Sequence, residues 1–514
     1  MIEAAIAALA TIFGGPYLFG FMPEALGFTL LGALIGLVLG AAPGIGGVVG
    51  LAIVLPFTFT MDPQAAICLA IGMLSTNNTG DTVPAILFAI PGSNAAQATI
   101  LDGHPMAKRG EAGRALGASY TASALGGVFG ALVLALSIPI LQPVVLAFGS
   151  PEFFMLAMLG LSMLAVLSGR RPVRGLIVAF LGLFIGTIGA DPQTGIYRYA
   201  FGQPYLFEGI PLIPLALGLF ALPEMVDLCI KGTSIASIPK GSALTGAMTG
   251  VKDAFRNWFL VIRSGIIGAL IGVVPGLGGS VVSWFAYGHA LQTEKGARET
   301  FGKGDVRGVI APESANNSQE GGNLIPTLAF GIPASASMAL LLSIILVHGI
   351  VPGPPMLTTQ LSTTYTMIYA LAIGNVFGTI ICLMLGKQIA KLTTIPIRPL
   401  AGLVIALVFL SAMVGGTRQF GDLAVLVAMG AVGWSMKRLG WPRPPLLLGF
   451  IVSPLIDRYF FISVERYGFE WLTHPLVLVI LVLIILTIGF GIRGNRKPPQ
   501  SIIPKEVVER SADV

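Results

Sequence analysis

Charge is what this sequence has least of. Only 11% of its 514 residues are charged, against roughly 25% in soluble domains, while 54% are hydrophobic and the mean hydropathy is +0.86. This composition excludes an ordinary soluble enzyme, and it excludes disorder, which requires low hydrophobicity and high charge. Apolar runs of roughly 15 to 20 residues also exclude an outer-membrane barrel, whose strands alternate over about 10 residues. The composition indicates a polytopic helical membrane protein.

Residue types that commonly perform catalysis or bind metals are also scarce. The three cysteines, Cys68, Cys229 and Cys382, lie far apart, and none of the four histidines lies one helical turn from another. We therefore expect neither disulfides nor a resident metal. Neither Gly-x-x-x-x-Gly-Lys-Ser/Thr nor Gly-x-Ser-x-Gly occurs, which argues against nucleotide hydrolysis and serine catalysis. We expect no enzyme activity, no cofactor and no nucleic-acid partner.

The two halves of the chain carry similar segments in the same order. IGLVLGAAPGIGG at 35–47 recurs as IGALIGVVPGLGG at 267–279, and PAILFAIP at 84–91 recurs as PTLAFGIP at 326–333. The other matches are STNN at 75–78 with SANN at 314–317, GVFG at 127–130 with NVFG at 375–378, and PLALG at 214–218 with PLLLG at 445–449. Five matches in one order predict a duplication.

The duplication divides the chain into six segments. We assign an interfacial N-terminal segment 1–23, a first membrane repeat 24–230, a cytoplasmic connector 231–263, a second membrane repeat 256–460, a final transmembrane helix 474–492 and a cytoplasmic tail 493–514.

Basic residues alternate between the two repeats. Loop 102–114 contains Lys108, Arg109 and Arg114, whereas its counterpart 348–364 contains no Lys or Arg. Loop 289–307 is basic, and its counterpart 58–65 is not. Because cytoplasmic loops collect Lys and Arg, this alternation predicts repeats of inverted topology. All but four of the 30 basic residues then lie on the cytoplasmic side, the exceptions being Arg198, Arg418, Arg458 and Arg466.

The expected fold is therefore all-α and polytopic. It has two inverted-topology repeats with re-entrant or discontinuous helices and about 11–12 membrane-embedded segments. We expect a multi-pass protein of the bacterial inner (cytoplasmic) membrane, surrounded by lipid, with its C-terminus in the cytoplasm.

Each repeat contains a Pro-Gly-x-Gly-Gly segment in the middle of an apolar run. Proline removes a backbone donor and glycine permits tight conformations, so a helix breaks there and its freed amides and carbonyls need a ligand, an ion or water. Such breaks in matching places of two inverted repeats indicate a transport site, although close packing of small residues is the alternative. The candidate substrate-binding residues here are Pro43, Gly44, Gly46, Gly47, Pro275, Gly276, Gly278 and Gly279.

Polar residues cluster after each break. Asn and Ser side chains can bind a carboxylate, and acids within a membrane are candidates for ion coupling. Helix-packing hydrogen bonds, or an acid at the membrane edge, would be the structural alternative. The substrate-binding candidates are Ser75, Asn77, Asn78, Pro91, Gly92, Ser93, Ser314, Asn316, Asn317, Pro333 and Ser335, and the ion-coupling candidates are Asp81, Glu313, Glu320 and Asn323. No basic residue is close to them in sequence, so we expect amides, hydroxyls and helix ends to bind the anion.

The sequence resembles the large membrane subunit of the tripartite tricarboxylate transporter family. The resemblance covers about residues 25–490 and is carried by GAAPGIGG at 40–47, IPGS at 90–93, LDGHPMAKRGEAGRALG at 101–117, PESANN at 312–317 and HGIVPGP at 348–354. One departure is Ala334, where the family often has Gly, and a tight amide contact there is in doubt.

The resemblance implies a permease that works with a small four-helix membrane subunit and a periplasmic solute-binding protein. It implies import of citrate or another carboxylate by symport with Na⁺ or H⁺. The alternatives are a self-sufficient carrier or exchanger that needs no binding protein and, less consistent with the polar motifs, a membrane scaffold that transports nothing.

Overall fold

The computed structural model describes most of the chain. The described residues are 1–14, 17–18, 22–42, 46–58, 60–167, 172–191, 193–231, 246–392 and 397–494.

Helices account for nearly all of this structure. They are α1 (Ile2–Gly14), α2 (Glu24–Ala41), α3 (Gly46–Thr58), α4 (Pro63–Phe88), α5 (Gln97–Lys108), α6 (Ala112–Leu146), α7 (Ser150–Leu167), α8 (Pro172–Gly186), α9 (Leu212–Ala216), α10 (Leu222–Lys231), α11 (Ala247–Arg256), α12 (Trp258–Gly272), α13 (Gly279–Thr293), α14 (Ala297–Thr300), α15 (Arg307–Phe330), α16 (Ala336–Val347), α17 (Leu361–Leu392), α18 (Ile397–Gly415), α19 (Phe420–Arg438), α20 (Pro444–Tyr467) and α21 (Pro475–Gly494). A π-helical turn, Leu217–Ala221, joins α9 to α10.

Strand structure is minimal in the described residues. β1 (Tyr17–Leu18) pairs antiparallel with β2 (Met22–Pro23), and β3 (Gly189–Ala190) pairs antiparallel with β4 (Tyr197–Arg198). Both hairpins join helices and contribute little to the core.

The helices are long and apolar enough for a multi-pass membrane protein. Five described helices meet the length and hydropathy expected of a span, and a sixth span results if α11 and α12, bent by 76°, are counted together. Six shorter apolar helices accompany them. The prediction of an all-α polytopic membrane protein is confirmed.

Glycines let the helix pairs α2–α4 and α12–α15, which belong to a first bundle, approach closely. A Cβ at Gly36 of α2 would lie 2.3 Å from the carbonyl oxygen of Met73 on α4, and a Cβ at Gly268 of α12 would lie 2.1 Å from that of Ala315 on α15. The contacts one turn further on are Gly40 with Asn77 and Gly272 with Gln319. In both pairs the residue numbers of the contacting positions increase in the same direction along the two helices. Helix α2 is therefore parallel to α4, and α12 is parallel to α15.

Helices α4 and α15 run in opposite directions. Hydrogen bonds join Asn78 to Glu320 at 3.2 Å and Thr82 to Glu313 at 2.8 Å, so the numbers rise on α4 as they fall on α15. Between these contacts, the Asn317 amide donates to the Thr79 hydroxyl at 3.0 Å. The matching polar helices of the two sequence halves therefore pack against each other antiparallel.

A second bundle contains α7, α8, α20 and α21, together with α9, α10, α18 and α19. Glycine contacts recur here: Gly182 of α8 faces the Leu446 carbonyl of α20, and Gly218 faces the Leu426 carbonyl of α19. Helices α3 and α16 pack between the bundles, and their buried residues share the largest apolar core with those of α4, α10 and α17. Helix α3 begins at Gly46 of the first Pro-Gly-x-Gly-Gly segment, and α16 begins after Pro333 and Ala334.

Candidate functional site

A polar cavity of about 700 Å³ lies between the two bundles. Both sequence halves line it, because α4 and α15 meet at its floor, and the first turns of α3 and α13 and the segments before α5 and α16 border it. The predicted site residues that line it are Gly47, Asn77, Asn78, Pro91, Gly92, Ser93, Gly279, Asn316, Glu320, Asn323 and Ser335. Residues separated by more than 200 positions in the sequence are thus brought to one place.

Four helix N-termini reach this cavity. Gly47 and Gly279 belong to the first turns of α3 and α13, Ser335 precedes α16, and Ser93 precedes the 3-10 turn Asn94–Ala96 that leads into α5. The Ser335 hydroxyl accepts a hydrogen bond from the backbone N–H of Met338 at 3.2 Å, and the Ser93 hydroxyl accepts one from Ala95 at 3.1 Å. Helix N-termini carry partial positive charge and unpaired N–H groups, so four of them around one cavity favour an anion.

Two buried asparagines at the cavity are unsatisfied. Asn316 is 1% exposed, and neither its amide nitrogen nor its oxygen has a hydrogen-bond partner within the described structure. Asn77 is 5% exposed, and its amide oxygen is also unpaired there. An unpaired buried polar group costs about 1–3 kcal/mol, so a bound ligand that pairs with these atoms is stabilised by them.

Glu320 is held by asparagines from both halves. Its Oε1 accepts from Asn78 at 3.2 Å and its Oε2 accepts from Asn323 at 3.4 Å. Helices α4 and α5, and likewise α15 and α16, form two helical hairpins whose tips are residues 91–93 and 333–335. Glu320 is the acid that these hairpins contribute to the cavity lining, so a cation can bind there next to an anionic substrate.

The packing shifts one of the sequence matches by nearly a helical turn. Gly40 packs on the Asn77 carbonyl and Gly272 on the Gln319 carbonyl, so Asn77 occupies the position equivalent to Gln319 rather than to Asn316. In the same register Asn78 is equivalent to Glu320. These two residues are hydrogen-bonded to each other across the junction of the halves.

Two predicted acids lie beneath the cavity instead of lining it. Glu313 is 1% exposed and accepts hydrogen bonds from three hydroxyls on three helices. Their donors and distances are Thr82 at 2.8 Å, Thr99 at 2.5 Å and Ser123 at 3.1 Å. Asp81 is fully buried and accepts from the Ser93 hydroxyl, which connects it to the hairpin tip.

Three other predicted residues make helix contacts away from the cavity. The hydroxyls of Ser75 and Ser314 donate to carbonyls of their own helices, those of Gly72 and Ile310. The amide of Asn317 donates to Ser75, Thr79 and Asn375, with the shortest contact 2.8 Å to Asn375. These polar groups pair within the bundle.

The two Pro-Gly breaks are described unequally. Pro43 and Gly44 lie outside the described residues, and Gly46 begins α3. In the second break Pro275 is buried, Gly276 has φ +93°, and Gly278 precedes α13. The Gly276 N–H donates to the Ala334 carbonyl at 3.0 Å, which ties this break to the second hairpin tip beside the buried Pro333.

Sequence reasoning missed the basic wall of the cavity. Lys437 and Arg443, with Glu224 and Trp441, line the side opposite the hairpin tips. No basic residue is close to the polar motifs along the chain, but the fold brings Lys437 and Arg443 to the cavity from the second bundle. Basic residues at both ends of loop 439–443 gave a sequence signal, but the charge rule used it only to place them on the cytoplasmic side.

A smaller cavity of about 310 Å³ lies beside the loop that contains β3 and β4. Arg198 bridges Asp191 and Asp457 there, each at 2.7 Å. Hydrogen bonds from the Thr194 hydroxyl and the Gln193 backbone lower the pKa of Asp191 to about 2, so this acid is ionised at neutral pH. Acidic residues outnumber basic ones in its lining, and it suits an anion less than the large cavity does.

The fold and the large cavity of about 700 Å³ define a class: a polytopic helical membrane protein with a polar cavity between two helical bundles. A family model described as the tripartite tricarboxylate transporter TctA family matches residues 26–448. The chain belongs to this family, as the sequence resemblance predicted. It is therefore a permease of a tripartite transport system.

Two relatives are both from Agrobacterium vitis. An uncharacterized 52.8 kDa protein in the TAR-I ttuC' 3' region is 34% identical over 438 residues, which cover 85% of this chain and 86% of that protein. An uncharacterized protein in the TAR-II ttuC' 3' region is 33% identical over 236 residues, covering 45% of this chain and 97% of that protein. No solved structure matches the chain.

Proposed function

We propose that the protein is a secondary active permease that imports a carboxylate, citrate or a related organic acid, in symport with Na⁺ or H⁺. The observation that carries this proposal is the set of helix N-termini around a cavity that also contains the unpaired amide nitrogen of Asn316, because both supply N–H donors to an anion. Because the sequence contains no nucleotide-binding motif, the energy would come from an ion gradient or from a partner.

We further propose that the two halves are inverted repeats, 24–230 and 256–460, with connector 231–263 between them. The antiparallel packing of α4 on α15 supports this. So does the antiparallel packing of α6 on α17, where the Thr379 hydroxyl donates to the Tyr120 carbonyl and Gly127 faces Asn375. Alternating access would then move the hairpin-bearing bundle against the other one.

We assign the coupling of transport to an ion to the acids near the helical hairpins, together with Asn323. Glu320 lines the cavity, so a Na⁺ or H⁺ bound there offsets repulsion between its carboxylate and the substrate's. Asp81 contacts Ser93 at the hairpin tip, and its ionisation or ion binding would reach the site through that hydroxyl. Glu313 and Asn323 complete the candidates.

The working system would include a small four-helix membrane subunit and a periplasmic solute-binding protein. Family membership implies partner subunits, and these two are the ones proposed. The permease would reside in the bacterial inner membrane with its C-terminus in the cytoplasm, in accord with the basic residues at the ends of α19 and α21.

Binding to the purified chain in nanodiscs tests this function. We expect citrate or another carboxylate of a panel to bind the wild type and to bind the Asn77→Ala/Asn316→Ala double variant at least about tenfold more weakly, because both lose ligand hydrogen bonds. Ser314→Ala is the matched control, since its hydroxyl is bonded to its own helix. Unchanged binding by the double variant would contradict the site assignment.

A further inference from the structure

The basic wall of the cavity is a charge cluster with an excess of cations. Two carboxylates, Glu224 and Asp227, face three basic residues, Lys437, Arg438 and Arg443. Lys437 bridges both carboxylates at 2.6 Å each, and Arg438 contacts Asp227 at 3.2 Å. The cluster therefore has one more positive charge than it has negative charges.

Arg443 is the least satisfied of these cations on the cavity side. Its guanidinium contacts one carboxylate, Glu224, at 2.9 Å, donates to the Leu219 carbonyl at 3.3 Å and lies 5.3 Å from the Phe220 ring centroid. A guanidinium has five N–H donors in a planar fork suited to a carboxylate. Its side chain is 17% exposed, and Arg443 and Phe220 both border the cavity.

Glu224 occupies the place that a ligand carboxylate would take on this wall. It accepts from both Lys437 and Arg443, and all three line the cavity. An added anion would therefore share or replace these hydrogen bonds.

We propose that Arg443 and Lys437 bind a second carboxylate of the substrate, while the hairpin tips bind the first, and that Glu224 competes for these cations when the site is empty. This inference rests on the proposed function and deepens it. The permease would then select anions with two or more carboxylates over monocarboxylates, and Arg443 would determine that selection.

Binding of citrate, succinate and propionate to the purified full chain in nanodiscs tests this assignment. Arg443→Gln is expected to weaken citrate and succinate binding about tenfold or more, the range of a charge-assisted hydrogen bond, and to leave propionate unchanged. Glu224→Gln is expected to strengthen citrate binding, because it removes the competing carboxylate. Arg438→Gln is the matched control: it pairs with Asp227 but does not line the cavity.

A purely structural role would produce a different pattern. If the cluster only ties α10 to α19 and α20, Glu224→Gln and Arg443→Gln will both weaken binding, equally for all three acids, and that result overturns the inference. Arg443→Lys keeps the charge and is expected to retain the citrate preference if Arg443→Gln fails to fold. If the Asn77→Ala/Asn316→Ala variant loses citrate binding and Arg443→Gln does not change it, this inference alone is refuted. If the wild type binds no carboxylate, the proposed function is refuted.

Discussion

Gly92 and Ala334 occupy the same position in the two hairpin tips but tolerate different side chains. A Cβ at Gly92 would lie 2.6 Å from Asp81 and 2.7 Å from the Gly40 carbonyl, a separation that real Cβ atoms do not adopt. Ala334 is buried, its N–H donates to the Thr327 hydroxyl at 3.4 Å, and its carbonyl accepts from Gly276. The backbone of Ala334 therefore makes two hydrogen bonds at the second hairpin tip, and its side chain is accommodated there.

The tight packing of Gly92 leaves no room for a larger side chain. Gly92→Ala is expected to lower stability by about 1–3 kcal/mol through overpacking and to impair carboxylate binding, because it displaces Ser93 from Asp81. Thermal unfolding and ligand titration in nanodiscs measure both effects. Ala334→Gly is the control and is expected to bind normally; equal loss in both variants would contradict the contact described for Gly92.

At the scale of single residues, sequence reasoning located the asparagines but not their partners. The run of Asn77, Asn78, Asn316 and Asn317 is visible as polarity within an apolar chain. Only packing shows that Asn317 turns into the bundle while Asn316 remains unpaired at the cavity. The choice depends on rotation about α15, which residue type alone does not specify.

At the scale of elements, a carboxylate ties the first helical hairpin to the loop between α14 and α15. Asp102 of α5 is fully buried and accepts from the backbone N–H groups of Gly304 and Asp305, each at 2.8 Å, and from the Tyr287 hydroxyl at 2.7 Å. It fixes the middle of α5, and so helps to position the cavity end of the same hairpin.

Removing this carboxylate is expected to loosen the hairpin. Asp102→Ala should lower the free energy of unfolding by about 3 kcal/mol, since hydrogen bonds to charged groups contribute about 1.5–3 kcal/mol each. Thermal unfolding measures the loss, and hydrogen exchange should rise at 302–306. Glu111→Ala is the control. The Glu111 side chain is 39% exposed in its ion pair with Arg109, so we expect its removal to change the free energy of unfolding by about zero. If Asp102→Ala unfolds at the same temperature as the wild type, other contacts must fix the hairpin.

The order of the elements was largely predictable, whereas their pairing was not. Apolar runs separated by Pro-Gly breaks predicted the helices around α2, α3, α12 and α13, because proline and glycine interrupt a helix locally. The basic wall could not be predicted, because Arg443 reaches the cavity through the packing of α19 and α20 against α10.

At the scale of the whole molecule, the alternation of basic loops predicts which surfaces face the cytoplasm. Lys303 lies in a basic loop, and Ile196 lies in the loop between β3 and β4, where it is 66% exposed. In a variant without the native cysteines, Ile196→Cys is expected to react with an impermeant maleimide in intact spheroplasts, and Lys303→Cys only after permeabilisation. The reverse pattern, or both sites reacting from one side, would contradict the inverted threading.

The central claim is carboxylate import by this permease as part of a tripartite system. The most direct measurement is uptake of labelled citrate, and of the carboxylate panel, into proteoliposomes that contain the chain and its small partner, with an imposed Na⁺ or H⁺ gradient and with or without the binding protein. The account predicts uptake that requires both the gradient and the binding protein, and that is lost in the Asn77→Ala/Asn316→Ala variant. Uptake without the binding protein would favour a self-sufficient carrier, and no uptake of any carboxylate with either gradient would contradict the account.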